Sequence, residues 1–275
     1  MTQRPGFASG KRHILITGAS GGLGGALAEA YAGPSERLTL WGRNAERLDA
    51  TRKLCEERGA EAVVVRQDLQ AFAQTCDVLS AVDASDPVDM LILNAGVSSG
   101  TLPGGGFESA AAASRTMNVN ATAAVNVMAC LLERMGRRGG GHIVCISSLA
   151  ALYPLPDSPA YSAAKTALSC YAKAIRASGS PVRISIVYPG YVDTPMSRRL
   201  SGPQPLRWTA PQAASYITER LEAGSDTIAF PRLLALGTCL LHLLPLPLAS
   251  FFLRRFSFTI APDEEAVSLK SGSAG

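Results

Sequence analysis

Charge is scarce in this chain. Only 17% of its 275 residues are charged, against 47% hydrophobic, which excludes global disorder and permits a sizeable core. Lys and Arg outnumber Asp and Glu by 26 to 22, a formal net charge of +4. The basic residues are scattered rather than gathered on one face, so a nucleic-acid partner is not expected. Histidine is scarcer still: His13, His142 and His242 stand apart from one another, and no metal site is expected. The six cysteines, at 55, 76, 130, 145, 170 and 239, contain no Cys-x-x-Cys pair, and several fall inside apolar runs. They read as reduced, buried thiols of a cytoplasmic protein, without a disulfide framework or a zinc site. The opening MTQRPGFASGKRH has no apolar stretch, so no secretory signal is expected.

What is present is alternation. A short apolar run at 13–17 reads as a buried strand, followed by TGASGGLG at 17–24 and a helix over 23–32. Glycines between a strand and a helix let backbone N–H groups approach a pyrophosphate at the helix N-terminus, although such a turn can also be only a tight connection. A second strand, 38–41, leads to Gly42-Arg43-Asn44, with Asn44 placed to cap a helix over 45–58. The end of a second strand in such a fold meets the adenosine ribose, and Arg43 there offers a cation to a 2′-phosphate. An ordinary exposed arginine is the alternative. A third strand, 62–68, ends in Asp68 and precedes a helix over 69–82; a fourth, 88–94, runs into Asn94-Ala95-Gly96. Residues 97–106 read as a mobile loop, and the helical region after it carries Asn120 among apolar neighbours, where a buried amide satisfying a helix break is the plain account. A fifth strand, 142–148, ends in Ser147-Ser148, and a sixth, 182–187, is closed by Pro189-Gly190. This alternation implies a single-domain, Rossmann-type α/β fold, a doubly wound parallel sheet in three α/β/α layers, with ligand beyond the carboxyl ends of the strands.

Between the fifth and sixth strands lies Ser158-Pro-Ala-Tyr161-Ser-Ala-Ala-Lys165. Pro159 suits the first position of a helix and Ser158 can cap it, which sets Tyr161 and Lys165 one turn apart on one face. A cation beside a phenol favours the phenolate and lowers the tyrosine pKa.

Taken together, these motifs resemble the short-chain dehydrogenase/reductase family in its single-domain form, from about residue 13 to 231. The resemblance implies catalytic roles for Asn120, Ser148, Tyr161 and Lys165; Ser148 rather than Ser147 stands thirteen residues before the tyrosine. It implies cofactor contacts from Thr17, Gly18, Ser20, Gly22, Leu23, Gly24, Arg43, Asp68, Asn94, Ala95, Gly96, Tyr161, Lys165, Pro189, Gly190, Val192 and Thr194. The cofactor so implied is NADP(H) in preference to NAD(H), on the strength of Arg43; the glycine turn itself offers Ser20 and Gly21 rather than a base. The substrate expected is a small-molecule alcohol or ketone of apolar or lipid-like character, and the assembly a homodimer or homotetramer. A non-catalytic nucleotide-binding or membrane-associated scaffold of the same fold is the competing reading. A sugar-nucleotide epimerase would need a larger substrate domain.

The C-terminal third is less ordinary. Residues 1–12 read as a flexible N-terminus, 13–231 as the dinucleotide-binding catalytic domain with a substrate lid near 195–223, 232–261 as an apolar segment and 262–275 as a disordered tail. The lid is read as flexible over 196–208, with Thr209 capping a helix over 211–223. The run LLALGTCLLHLLPLPLASFFL at 233–253 is divided by Pro245 and Pro247 and followed by Arg254-Arg255. It must break before Pro245 into two short elements. Three placements stand open: a cover for the substrate mouth or a dimer contact, an interfacial segment with peripheral membrane contact through 232–256, or a spanning helix. A cytoplasmic location, at the inner face of a membrane under the interfacial reading, follows from these expectations.

Overall fold

Short apolar runs ended by glycine or polar residues become strands, and the stretches between them with apolar residues three and four apart become helices. The computed structural model describes residues 10–102, 106–255 and 257–261. The expected disordered tail, 262–275, and most of the expected flexible N-terminus lie outside them. In chain order the elements are β1 (Arg12–Thr17), α1 (Gly22–Tyr31), β2 (Glu36–Gly42), α2 (Ala45–Glu57), β3 (Glu61–Arg66), α3 (Phe72–Ser85), β4 (Met90–Leu93), α4 (Ala110–Met117), a π-helical turn (Asn118–Ala123), α5 (Ala124–Arg137), β5 (Gly141–Ile146), α6 (Pro159–Ala177) and β6 (Val182–Pro189). Then follow β7 (Val192–Asp193), β8 (Leu200–Ser201), β9 (Trp208–Thr209), α7 (Ala210–Glu222), β10 (Thr227–Phe230), α8 (Arg232–Leu240), α9 (Leu246–Arg254) and β11 (Thr259–Ile260).

Seven strands form one parallel sheet in the order β10-β6-β5-β4-β1-β2-β3. The order reverses between β1 and β4, so the crevice for a ligand lies above that pair. Leu23, Leu27, Leu48 and Ile217 bring α1, α2 and α7 onto one face of the sheet. Leu79, Val127, Leu131 and Leu168 bring α3, α5 and α6 onto the other. The three-layer α/β/α arrangement is therefore the expected one. β10 is a seventh strand that the sequence reading leaves unassigned, because Thr-Ile-Ala-Phe is too short to stand out.

Several expectations need correction. β1 begins inside the segment read as flexible: the Arg12 N–H donates to the Ser35 carbonyl at 2.9 Å and its guanidinium pairs with Glu222 at 2.7 Å. Cys76 and Cys130 are joined by a disulfide, with Cα atoms 6.2 Å apart. The helices α3 and α5 that carry them lie side by side, a neighbourhood that a separation of 54 residues conceals. Cys55 and Cys145 are buried as expected, whereas Cys170 and Cys239 are exposed. The 196–208 lid is fastened rather than loose. Arg199 donates to the Ser98 carbonyl at 3.0 Å, Gln204 donates to the Ser197 and Leu200 carbonyls, and β8 pairs antiparallel with β11. Among the described residues no helix is long and apolar enough to cross a membrane, which removes the spanning placement for 233–253. That segment folds as expected into two pieces broken at Pro245.

The isolated histidines are structural. His13 bonds the Asp86 carbonyl and Thr39, and His142 bonds Ser185; burial holds the His142 pKa down at about 3. Among the described residues no group of His, Cys, Asp or Glu is arranged to hold a metal ion. On the far side of the sheet Asp83, fully buried, accepts from Arg134 at 2.6 Å, Arg138 at 2.7 Å and the Val88 N–H at 3.0 Å. Burial by itself would raise its pKa; the three donors together outweigh burial and lower it. Asp83→Asn should therefore cost about 2–3 kcal/mol of unfolding free energy in urea at pH 7. The wild-type advantage should be present above about pH 4 and vanish as pH falls through the lowered folded-state pKa.

Candidate active site

The glycine turn between β1 and α1 closes against the end of β4. The Asn94 side-chain amide donates to the Thr17 and Gly18 carbonyls at 3.1 and 3.2 Å. Thr17 Oγ1 accepts from the Asn94 and Ala95 N–H groups at 3.0 and 3.1 Å and donates to the Ile92 carbonyl. A Cβ on Gly24 would stand 2.2 Å from the Gly18 carbonyl oxygen and 2.4 Å from the Asn94 amide, so only glycine lets the helix start so close to the strand. α1 begins there without a side-chain cap, leaving N–H groups facing the cavity.

A cavity of about 760 Å³ runs from this turn to the C-terminal helices. Of the predicted residues, Gly18, Ser20, Gly22, Leu23, Arg43, Asp68, Asn94, Ala95, Gly96, Ser148, Tyr161, Lys165, Pro189, Gly190, Val192 and Thr194 line it. Thr17, Gly24 and Asn120 do not; they stand behind its wall and hold other residues in place. Arg43 is exposed at the end that β2 supplies, and Arg47, one turn into α2, lines the same end. The spacing Arg43-x-x-x-Arg47 was the available signal for that second cation.

α6 carries the reactive pair. Its first turn is not capped by Ser158, as the sequence suggests. The Glu108 carboxylate accepts from the Ala160 N–H at 2.8 Å in its place, and also from the Ser99 hydroxyl. Ser158 donates to the Ser99 carbonyl. Glu108 thus brings an anion to the positive end of α6 and ties it to the loop after β4. No local sequence pattern marks it, because the contact spans 52 residues.

Lys165, only 4% exposed, donates to the Ile146 carbonyl at 2.8 Å. Its ammonium lies 5.9 Å from the centre of the Tyr161 ring. Burial lowers the Lys165 pKa to about 8. Tyr161 is half-buried, and burial raises its pKa, opposed by a hydrogen bond with the Ser148 side chain. The sequence expectation that Lys165 would pull this phenol down is corrected here: the ammonium is turned to Ile146, and loss of solvent dominates. Ser148 Oγ also accepts from the Ala150 N–H at 3.1 Å, which fixes the hydroxyl at the end of β5. Ser147 points elsewhere, bonded to Ser169 and the Lys165 carbonyl. Asn120 is fully buried within the π-helical turn; its amide donates to the Val97 carbonyl at 2.7 Å and accepts from the Val97 N–H at 2.8 Å. Gly96 is wedged beside it, where a Cβ would stand 3.1 Å from Asn120 Oδ1 and 3.6 Å from the Lys165 ammonium.

A family model described as short chain dehydrogenase matches residues 12–204. The chain belongs to the short-chain dehydrogenase family. An uncharacterized oxidoreductase of Myxococcus xanthus is 31% identical over 251 residues, covering 89% of this chain and 97% of its own. The ketoacyl reductase HetN of Nostoc is 35% identical over 183 residues, 65% of this chain and 63% of that protein. A short-chain dehydrogenase of Sphingobium yanoikuyae solved with NADPH superposes with TM-score 0.71 at 24% identity, covering 80% of this chain and 88% of its own. One from Burkholderia phymatum solved with NAD gives 0.73 at 24% identity, covering 84% and 93%. These superpositions establish the fold of a short-chain dehydrogenase and leave the site to its own geometry.

The buried ammonium has a thermodynamic signature. An unfolded lysine titrates near 10.5 and the folded Lys165 at about 8. Below pH 8 the folded chain bears the full cost of the buried charge. Between these values only the unfolded chain stays protonated, so stability rises with pH. Relative to Lys165→Met, the wild type should become about 2–3 kcal/mol more stable between pH 7 and 10.5 in urea denaturation. A difference that stays flat across the interval would show the ammonium is not desolvated.

Proposed function

We propose that this short-chain dehydrogenase is an NADP(H)-dependent oxidoreductase interconverting an alcohol and a ketone on an apolar, lipid-like small molecule. The observation that carries the reading is the placement of Ser148, Tyr161 and Lys165 in one cavity, between the glycine turn and an apolar wall. The turn fits a dinucleotide: the approach at Gly24 admits no Cβ, uncapped N–H groups open α1, and Arg43 and Arg47 border the adenosine end. Thr17, Gly18, Ser20, Gly22, Leu23 and Gly24 would form or support the pyrophosphate turn. Asp68 would meet the adenine, Asn94, Ala95 and Gly96 the ribose side, and Pro189, Gly190, Val192 and Thr194 the nicotinamide. When bound, NADPH would supply the hydride in reduction and NADP+ would accept it in oxidation.

The chain's own residues manage the oxygen. Tyr161 gives its proton to the carbonyl oxygen in reduction and takes it back in oxidation. A phenol raised by burial stays protonated through neutral pH, which suits the reductive direction. The Ser148 hydroxyl holds the same oxygen where negative charge grows. Lys165 would hold the nicotinamide ribose, and its charge, 5.9 Å from the ring centre, would offset the phenolate left after proton transfer; Asn120 would support a water relaying the proton between Lys165 and solvent. The wall around them is made by Tyr153, Leu155, Tyr191, Leu234, Phe258 and Ile260 among others. Among the described residues this wall adds no carboxylate or cation beside Lys165, which favours an apolar alcohol or ketone over a sugar or an acid. The non-catalytic scaffold loses ground because all three reactive side chains are in place. A homodimer or homotetramer completes the proposal.

A panel of ketones of graded chain length, followed by NADPH absorbance, tests the substrate class; turnover confined to short polar ketones would refute it. Tyr161→Phe should lower kcat at least 100-fold, about 3 kcal/mol, while the NADPH Kd moves less than about threefold. Retained turnover would end the proton-transfer role. Arg43→Glu should reverse the cofactor preference, weakening NADPH at least tenfold, about 1.4 kcal/mol, with NADH unaffected. Equal loss for both cofactors would show that Arg43 does not read the 2′-phosphate.

A further inference from the structure

The C-terminal helices α8 and α9 carry apolar residues on two sides. Of the fourteen large apolar side chains that stand exposed among the described residues, eight fall between 233 and 252. Leu233, Leu236, Leu240 and Leu243 recur three or four apart, so they share one side of α8 and the turn after it. Leu243 and Leu246 are more than 70% exposed, and Phe251 nearly 60%. The opposite side belongs to the cavity, which Leu234, Thr238, Leu241 and Leu253 line. Leu233 and Phe252 belong to both, exposed outside and lining within. The apolar outer surface is therefore continuous with the cavity wall.

Charge selects the occupant. The described residues 227–261 contain no Asp or Glu, while Arg232 stands before the run and Arg254 and Arg255 after it, all three exposed; Asp263, Glu264 and Glu265 follow in the sequence, outside the described residues. A second copy of the chain would set the same three exposed arginines against one another at a twofold contact, whereas an anionic lipid surface brings the opposite sign. α8 and α9 have nine residues each, about 13 Å long, too short to span the roughly 30 Å of a bilayer core. They suit a shallow position in its interface.

We propose that the α8–α9 segment docks on an anionic membrane, its leucines and phenylalanines at the acyl boundary and Arg254 and Arg255 among the headgroups. The cavity then opens toward lipid, so an apolar substrate reaches Tyr161 without crossing water; this second statement rests on the substrate class proposed above, and the docking does not. His242, in the turn after α8, anchors the segment to the body through the Leu152 carbonyl and an edge contact with Tyr153 at 5.0 Å.

The test is flotation of the purified full chain with phosphatidylglycerol-containing vesicles and with pure phosphatidylcholine vesicles. The chain should float with the anionic vesicles and partition at least tenfold less onto the neutral ones. The double variant Leu236→Glu/Leu243→Glu, outside the cavity lining, should lose at least tenfold of the anionic partition with an unchanged thermal melt. Leu246→Glu alone repeats the measurement should the double variant fail to fold. Arg254→Ser/Arg255→Ser should erase the preference for anionic lipid. Full-length protein that stays soluble with both vesicles overturns the proposal. So does partition unaffected by the glutamates, and so does a dimer in sedimentation that the glutamates dissociate, which would assign the face to self-association. Absence of NADPH oxidation with every ketone would overturn the catalytic reading while leaving flotation unaltered, so the two fail separately.

Discussion

The site depends on a small hydrogen-bonded lock between β1 and β4. These strands are sequence-distant neighbours at the point where the sheet reverses its order, and nothing in their parallel pairing alone closes the crevice above them. Thr17 and Asn94 close it by exchanging side-chain and main-chain bonds. With the two strand ends fixed, the glycine turn is held over the crevice on one side and Gly96 is carried to Asn120 on the other. Thr17 and Gly24 thus matter to the cavity without facing it.

A second constraint comes from the parallel sheet itself. All seven strands deliver their carboxyl ends to one edge, so residues far apart in the chain converge there without any local signal being needed. That is why so much of the site could be read from sequence. Asp68, Asn94, Ser148 and Gly190 each end a strand, and strand ends were legible from the apolar runs before them. Tyr161 and Lys165 were legible because a helix of known start fixes their common face.

What escaped the sequence is what depends on long-range proximity. Glu108 holds the start of α6 from a loop more than fifty residues away, and Cys76 meets Cys130 only because α3 and α5 lie side by side. The direction of the Tyr161 shift was misread for a related reason. Sequence reports that a cation is one turn away, but neither how dry the site is nor that the ammonium is turned toward Ile146. The Pro245 break, by contrast, is a local steric effect and was foreseen. The pairing of β11 with β8 is not local, and was missed.

That pairing gives the roof of the cavity a property of its own. Phe258 and Ile260 reach the cavity from a segment held by two β-bridge pairs, the Ile260 and Ala261 N–H groups on the Thr101 and Arg199 carbonyls, and the Phe258 N–H on Asp157. These few bonds join four stretches of chain that the central sheet does not contain. Parting these bonds would leave every pairing of the central sheet intact, because none of them belongs to it. Access to the cavity from this side is thereby governed by residues 257–261 and the loops they bridge, and not by the sheet beneath them.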